Sequence, residues 1–171
     1  MLLTITMDTI SIRKFVKSGK EFLELFINGS PLSELLDKFY RMNGSILDNW
    51  IGTLGAFENR KAEVIKVKQL LGKTVSDEEI RRTYPSEWND KDFQWHLEKA
   101  RDELSNPEII IYCCAECGGY DCGGIKAKIE KTENAFVWTF TEEGKQLMFS
   151  FDKYQYFDLF DKYLRQLEKK D

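Results

Sequence analysis

Several absences narrow the chain before any motif is read. There is one histidine, His96, in 171 residues, so no Ser-His-Asp arrangement can be argued. No HExxH, P-loop or GxGxxG spacing occurs, which sets aside the best-defined metalloprotease, phosphate-cradling and dinucleotide motifs. The longest apolar run, Ile109 to Ala115, is far short of the roughly 20 residues that span a bilayer. The opening MLLTITMDTISIRKF has no basic stretch leading into a long apolar core, so no signal peptide is expected. Proline is scarce, at three residues, and no segment is of low complexity, which argues against long disordered stretches. An excess of positive charge is missing too. Twenty-five Lys and Arg against 29 Asp and Glu leave a formal charge of −4, whereas nucleic-acid binding normally leaves a strongly basic footprint. The expectation is a cytoplasmic protein without nucleic-acid or membrane partners, in a compartment where thiols stay reduced.

What is present suits one well-buried core. The apolar fraction is 42%, with twelve Phe, seven Tyr and four Trp, and a chain of this length buries roughly 70% of its unfolded surface. Ile5, Met7, Ile10 and Ile12 alternate with polar residues, with the phase slipping near Asp8-Thr9 as at a bulge or turn. After the turn KSGK, EFLELFI reads as a strand. Asn28-Gly29 turns the chain, Ser30 is the expected cap and Pro31 opens a helix with Leu32, Leu35, Leu36, Phe39 and Tyr40 on one stripe. Within residues 44–73, SILDNWIGTLGAF reads as loop or short helix with Trp50, Ile51 and Leu54 inward, and AEVIKVKQLLG has a periodicity that fits strand or helix. Residues 74–106 turn charged and helical. A Ser76–Glu79 capping box and Asp90 open two helices, the second with Phe93, Leu97, Ala100 and Leu104 inward. IIIYCC, apolar on both faces, predicts a central strand; IKAKIE, AFVWTF and LMFSF predict three more, and Asp152 caps a closing helix carrying Tyr156, Phe160, Tyr163, Leu164 and Leu167. The whole predicts a single α+β domain over residues 1–171: an antiparallel-rich sheet of about five to seven strands, amphipathic helices packed on it, and a helical insertion at 74–106.

Every cysteine falls within CCAECGGYDC, residues 113–122. Cys114-Ala-Glu-Cys117-Gly118 has the spacing of a zinc knuckle, in which glycine lets backbone amides turn toward the thiolates. On a strand, Cys113 and Cys114 point to opposite faces, so Cys114, Cys117 and Cys122 are the candidate ligands. His96 completes a Cys3His set only if the inserted helix folds over the turn. Structural zinc usually takes four ligands from two separated elements, so the ligand count favours a Gly-rich hairpin with cysteines as small hydrophobes and no cofactor. Zinc is the first alternative and thiol redox the second; a thioredoxin-like CxxC opens a helix, whereas two glycines follow this one. The acidic run SDEEI fits the first turn of a helix, favoured by its dipole. Read functionally, Glu78, Glu79, Glu87, Asp90 and Asp92 form an acidic docking face with Trp88 or Trp95 as anchor.

The stretch YCCAECGGYDCGGIKAKIEKTENAFVWTF, with FSFDKYQYFDLF after it, resembles a widespread bacterial family of uncharacterised small proteins. Its members show a strand, a CxCG or CxxCG turn, a second Cys-Gly, a V-x-W strand and a closing F-x-F-x-x-x-x-Y helix start. The corresponding positions are Cys114 or Cys117 with Gly118, Cys122 with Gly123, Val137 to Phe140, and Phe149, Phe151 and Tyr156. LFINGSPLSELL is similar to the family's early strand-turn-helix. The likeness covers about half of the chain and leaves out 74–106. It implies a fold and no established activity. Families of this character commonly sit beside secreted toxins, so the analogy implies a non-catalytic immunity protein that covers the active site of a toxin domain. The alternative is a zinc- or thiol-dependent enzyme or sensor built on the cysteine turn.

Overall fold

The computed structural model describes residues 6–56, 60–119 and 122–170; the expectations for Ile5 and for the Tyr120-Asp121 part of the cysteine loop lie outside them. Strands β1 (Ile10–Lys17) and β2 (Lys20–Ile27) meet at Ser18-Gly19, where both residues have positive φ, 53° and 75°. That is the turn whose twist matches a tight antiparallel hairpin. Asn28-Gly29 repeats it with φ of 52° and 82° and sends the chain into the two-residue strand β3 (Ser30–Pro31). Because this hairpin pairs Ser30 with Ile27, Ser30 does not cap the helix α1 (Leu32–Tyr40). Pro31 is its N-cap, without a side-chain bond.

The rest of the chain builds a larger sheet. A single 3-10 turn (Ile46–Asp48) leads into β4 (Trp50–Gly52), and the helices α2 (Arg60–Leu70), α3 (Asp77–Arg81) and α4 (Asp90–Ser105) follow. Strands β5 (Glu108–Cys114), β6 (Ile125–Lys131), β7 (Ala135–Glu142) and β8 (Lys145–Asp152) then run in order, and α5 (Lys153–Glu168) closes the described chain. The fold is α+β, with antiparallel sheets ordered β1-β2-β3 and β4-β5-β6-β7-β8. The strands expected in one sheet therefore divide between two. The phase slip at Asp8-Thr9 marks the crossing: Asp8 bridges to Phe151 of β8 and its N–H donates to the Ser150 carbonyl at 2.7 Å. The Asp8 carboxylate accepts from the Asn28 amide at 2.7 Å, tying the small sheet's turn to the large sheet's edge.

One hydrophobic core unites both sheets, from Phe22, Leu25 and Ile27 of β2 through Leu36 of α1 to β5, β7 and α5. Phe136, Trp138 and Phe140 alternate inward along β7, as the sequence pattern requires, each at most 1% exposed. Tyr156 of α5 stacks on Phe136 at 4.1 Å between ring centres. Its hydroxyl accepts from Trp138 Nε1 at 3.2 Å and donates to the Leu70 carbonyl at 3.0 Å, so one side chain joins α5, β7 and α2. A separate small cluster of Val75, Ile80 and Phe93 lies among the helices of the inserted block. The capping box at Ser76 and Glu79 is formed, whereas α4 is capped by Asn89, whose side chain accepts from the Asp92 N–H, and not by Asp90.

Candidate metal centre

β5 lies between β4 and β6, which places Cys113 opposite Ile51 and Cys114 opposite Trp50. Strand alternation then separates the two thiols. Cys113 faces the core with no exposure; burial pushes its pKa up to about 11, so it stays a thiol and acts as a small hydrophobe. Cys114 faces the loop. The Ala115 N–H donates to the Asn49 carbonyl at 2.9 Å, fixing the base of the loop against β4.

From there the chain folds into a knuckle. The Gly118 N–H donates to the Cys114 carbonyl at 2.9 Å, and Gly118 sits at φ +65°, a conformation that costs a side chain about 1–2 kcal/mol. The N–H groups of Glu116 and Cys117 donate to Cys114 Sγ and lower its pKa, and the Gly119 N–H donates to Cys117 Sγ at 3.3 Å. Backbone amides thus aim at both sulfurs of the CxxC pair, and at Cys114 they favour the thiolate. The return strand brings Cys122 back, with its Sγ 3.6 Å from that of Cys117. Gly124 makes this return possible: a Cβ there would lie 2.5 Å from the Tyr112 carbonyl oxygen.

The three Sγ atoms of Cys114, Cys117 and Cys122 lie within 4.8 Å of one another and could hold a metal ion. Cys117 and Cys122 are exposed and Cys114 is half-buried. Their protons are shared unevenly. While Cys114 is eased toward thiolate, hydrogen bonding to Cys117 and Cys114 and their developing charge push Cys122 up to about 11. A cation removes that repulsion, because thiols lose their protons as they ligate.

Two other expected contributions fall elsewhere. His96 does not join the thiols. It is in α4, stacked on Trp88 at 4.4 Å and beside Tyr84 at 5.1 Å, and it lines a cleft with Glu108 and Ile110 at the start of β5. Four steps along the strand separate Ile110 from Cys114, about 13 Å at the rise of an extended chain. Among the described residues no fourth histidine, cysteine or carboxylate joins the three sulfurs. The expected acidic face is divided as well. Glu78 pairs with Arg82 and Glu79 with Lys68; the lysine, together with the Ser76 N–H, lowers the Glu79 pKa to about 2. Glu87, Asp90 and Asp92 are exposed around the first turn of α4, with Trp88 half-buried under Tyr84 and His96. Trp95, two turns on, is 61% exposed.

Three buried charged side chains were not foreseen. Glu24, 1% exposed, accepts from the Tyr112 hydroxyl at 2.6 Å and from the Leu25 N–H at 2.8 Å, and burial raises its pKa. Glu63 accepts from the Gly55 N–H at 2.7 Å and from the Tyr163 hydroxyl. Lys66 reaches Gln69 Oε1 at 3.2 Å and Glu103 at 3.9 Å. The available signal was a charged residue at an apolar position of a periodic segment: Glu24 between Phe22 and Phe26, and Glu63 and Lys66 on the stripe of Val67 and Leu70.

Compared with family models, with curated proteins and with solved structures, the chain gives no match. Among the described residues no helix is long and apolar enough to cross a membrane.

Proposed function

We propose that this chain is a thiolate metal-binding protein that takes up one Zn²⁺ at the tip of the β5–β6 hairpin through Cys114, Cys117 and Cys122. The observation that carries the reading is the knuckle itself: three sulfurs within 4.8 Å, with amides directed at the first two. Proximity alone would suit a hairpin of small hydrophobes. Amides aimed at the sulfur of an exposed turn favour a charged thiolate, and thiolates select soft or borderline ions over Mg²⁺ or Ca²⁺. With three protein ligands, a fourth position is left to water or to a ligand from outside the trio, the open geometry that responds to its surroundings. The site is then better suited to sensing or exchanging the ion than to holding the fold together, since the cores lie elsewhere. The test is the metal content of protein purified without chelator, followed by Zn²⁺ reconstitution. About one ion per chain in the native protein, lost on Cys117→Ser, supports the proposal; well below one ion, with no uptake on reconstitution, sinks it.

A second reading rests on a different observation, the exposure of Trp95 on the same helix as the exposed acidic residues Asp90 and Asp92, with Glu87 just before it. An exposed tryptophan on the same helix as an acidic first turn suits a basic protein partner, and the immunity function, blockade of a toxin domain without catalysis, belongs to this reading. Glu78 and Glu79 drop out of the proposed face because Arg82 and Lys68 already neutralise them. Reversal of charge at Glu87, Asp90 and Asp92 together should abolish inhibition of a co-purifying toxin domain; undiminished inhibition removes this face from the reading.

A further inference from the structure

We propose that Cys117 and Cys122 are a site of oxidation by hydroperoxides, joining in a reversible disulfide that unloads the metal centre. The unloading rests on the zinc reading above; the disulfide does not. The two sulfurs are 3.6 Å apart and both residues are exposed, so about 1.5 Å of further approach makes a bonded pair. The loop has room for that movement. Gly118 and Gly123, each next to one of the two cysteines, sit at φ of 65° and 89°, and a Cβ added at Gly118 would meet no atom within 4 Å. Cys114 is the poorer partner: it is half-buried, paired opposite Trp50 in the sheet, and its carbonyl is held by the Gly118 N–H at 2.9 Å.

Cys117 is the sulfur with the open approach. It borders a hollow of about 480 Å³ together with Lys20, Ala56, Ala115 and Glu116. An accessible cysteine beside a second thiol is the usual form of a peroxide-responsive pair. In the first step the Cys117 sulfur attacks the O–O bond of the hydroperoxide. An S–O bond forms, and the alcohol (water, for hydrogen peroxide) leaves with the thiol's proton. In the second step the Cys122 sulfur attacks the sulfenic sulfur. The S–S bond forms, the S–O bond breaks, and the hydroxyl leaves with the Cys122 proton as water. Two thiols are thereby oxidised by two electrons while one hydroperoxide is reduced. Two of the three sulfurs of the knuckle are consumed, and the single remaining thiol of Cys114 falls far short of the three or four protein ligands that hold zinc. An exposed disulfide of this kind is readily reduced again, and reduction restores the site.

The experiment treats the full chain, reduced and freed of metal, with hydrogen peroxide and reads its intact mass and peptide map. The expected result is the loss of two hydrogens, reversed by dithiothreitol, with the bond mapped to Cys117 and Cys122. Cys122→Ser should instead leave a sulfenic acid at Cys117, trapped as its dimedone adduct. In the zinc-loaded chain the same treatment should release the ion to a chromogenic chelator, and uptake should return after reduction. No disulfide, or one that joins Cys114, overturns the pair whatever the zinc result. A Cys117–Cys122 disulfide that leaves zinc bound overturns the unloading. A chain that never takes up zinc refutes the metal reading and the unloading with it, while the mass and the map still decide the pair.

Discussion

Replacing the four cysteines singly by serine separates a metal centre from a cluster of small hydrophobes. Four-ligand zinc sites in peptides bind with about 10–16 kcal/mol at neutral pH, or about 2.5–4 kcal/mol per ligand. Loss of Cys114, Cys117 or Cys122 should therefore weaken Zn²⁺ by roughly two to three decades. Cys113→Ser should leave zinc affinity unchanged and instead cost stability, because its thiol is fully buried in the core. The pH dependence gives a second handle. With its pKa up at about 11, Cys122 is protonated at neutral pH and must release that proton on binding. Each proton displaced steepens the affinity by one decade per pH unit, so three thiols give a slope between one and three, affinity rising with pH. Competition against a chromogenic chelator between pH 6 and 8 measures both, and Co²⁺ substitution reports thiolate ligation directly. A Cys113→Ser variant that loses metal as readily as Cys117→Ser, or an affinity flat in pH, would refute the assignment.

Other perturbations test the fold around the site. Tyr112→Phe removes a donor from the buried Glu24 carboxyl and should cost about 1–3 kcal/mol in chemical denaturation. Because burial raises the Glu24 pKa above 4.5, the native state holds this proton longer than the unfolded chain. Its contribution is full below about pH 4.5 and is lost as pH rises through the folded value, and Glu24→Gln should remove that slope. Glu79 has the opposite sign: held down at about 2, it contributes above its ordinary 4.5 and loses that contribution as pH falls toward 2, a loss that Glu79→Gln abolishes. Gly124→Ala sets a Cβ 2.5 Å from the Tyr112 carbonyl oxygen, so the return strand must shift; both thermal stability and zinc affinity should fall.

Elements whose local pattern and burial agree were legible. The α5 stripe, the doubly apolar β5 and the Asn28-Gly29 hairpin each carry a periodicity or turn chemistry that long-range packing does not contradict. β4 was not legible because three residues cannot show alternation; it exists through its pairing with Tyr112, Cys113 and Cys114. α2 was ambiguous because its buried stripe contains Glu63 and Lys66, whose partners Tyr163 and Glu103 come from α5 and α4. The slip at Asp8 was visible, but its meaning as a change of sheet depends on β8, more than a hundred residues away. The metal centre follows the same division. CxxCG spacing specifies the knuckle locally, whereas the place of Cys122 depends on how β6 leaves the loop, and His96 was excluded only by the length of β5.

That division bears on how much of the zinc affinity is prepared in advance. The knuckle depends on Gly118, whose φ of +65° puts its N–H on the Cys114 carbonyl. A Cβ added at Gly118 meets no atom within 4 Å, so Gly118→Ala acts through backbone strain and not through a clash. The metal-free loop can relax out of the left-handed conformation, and binding must then restore it at about 1–2 kcal/mol, a loss of roughly five- to thirtyfold in zinc affinity. Asparagine tolerates positive φ better than alanine, so Gly118→Asn should lose less while adding more bulk. Thermal unfolding of the metal-free protein should move little in either variant, because the strained turn stands outside both cores. An affinity order of Gly above Asn above Ala identifies the amide-directed knuckle as the source of binding. Equal affinity in all three would mean that three nearby sulfurs suffice and that the turn contributes nothing.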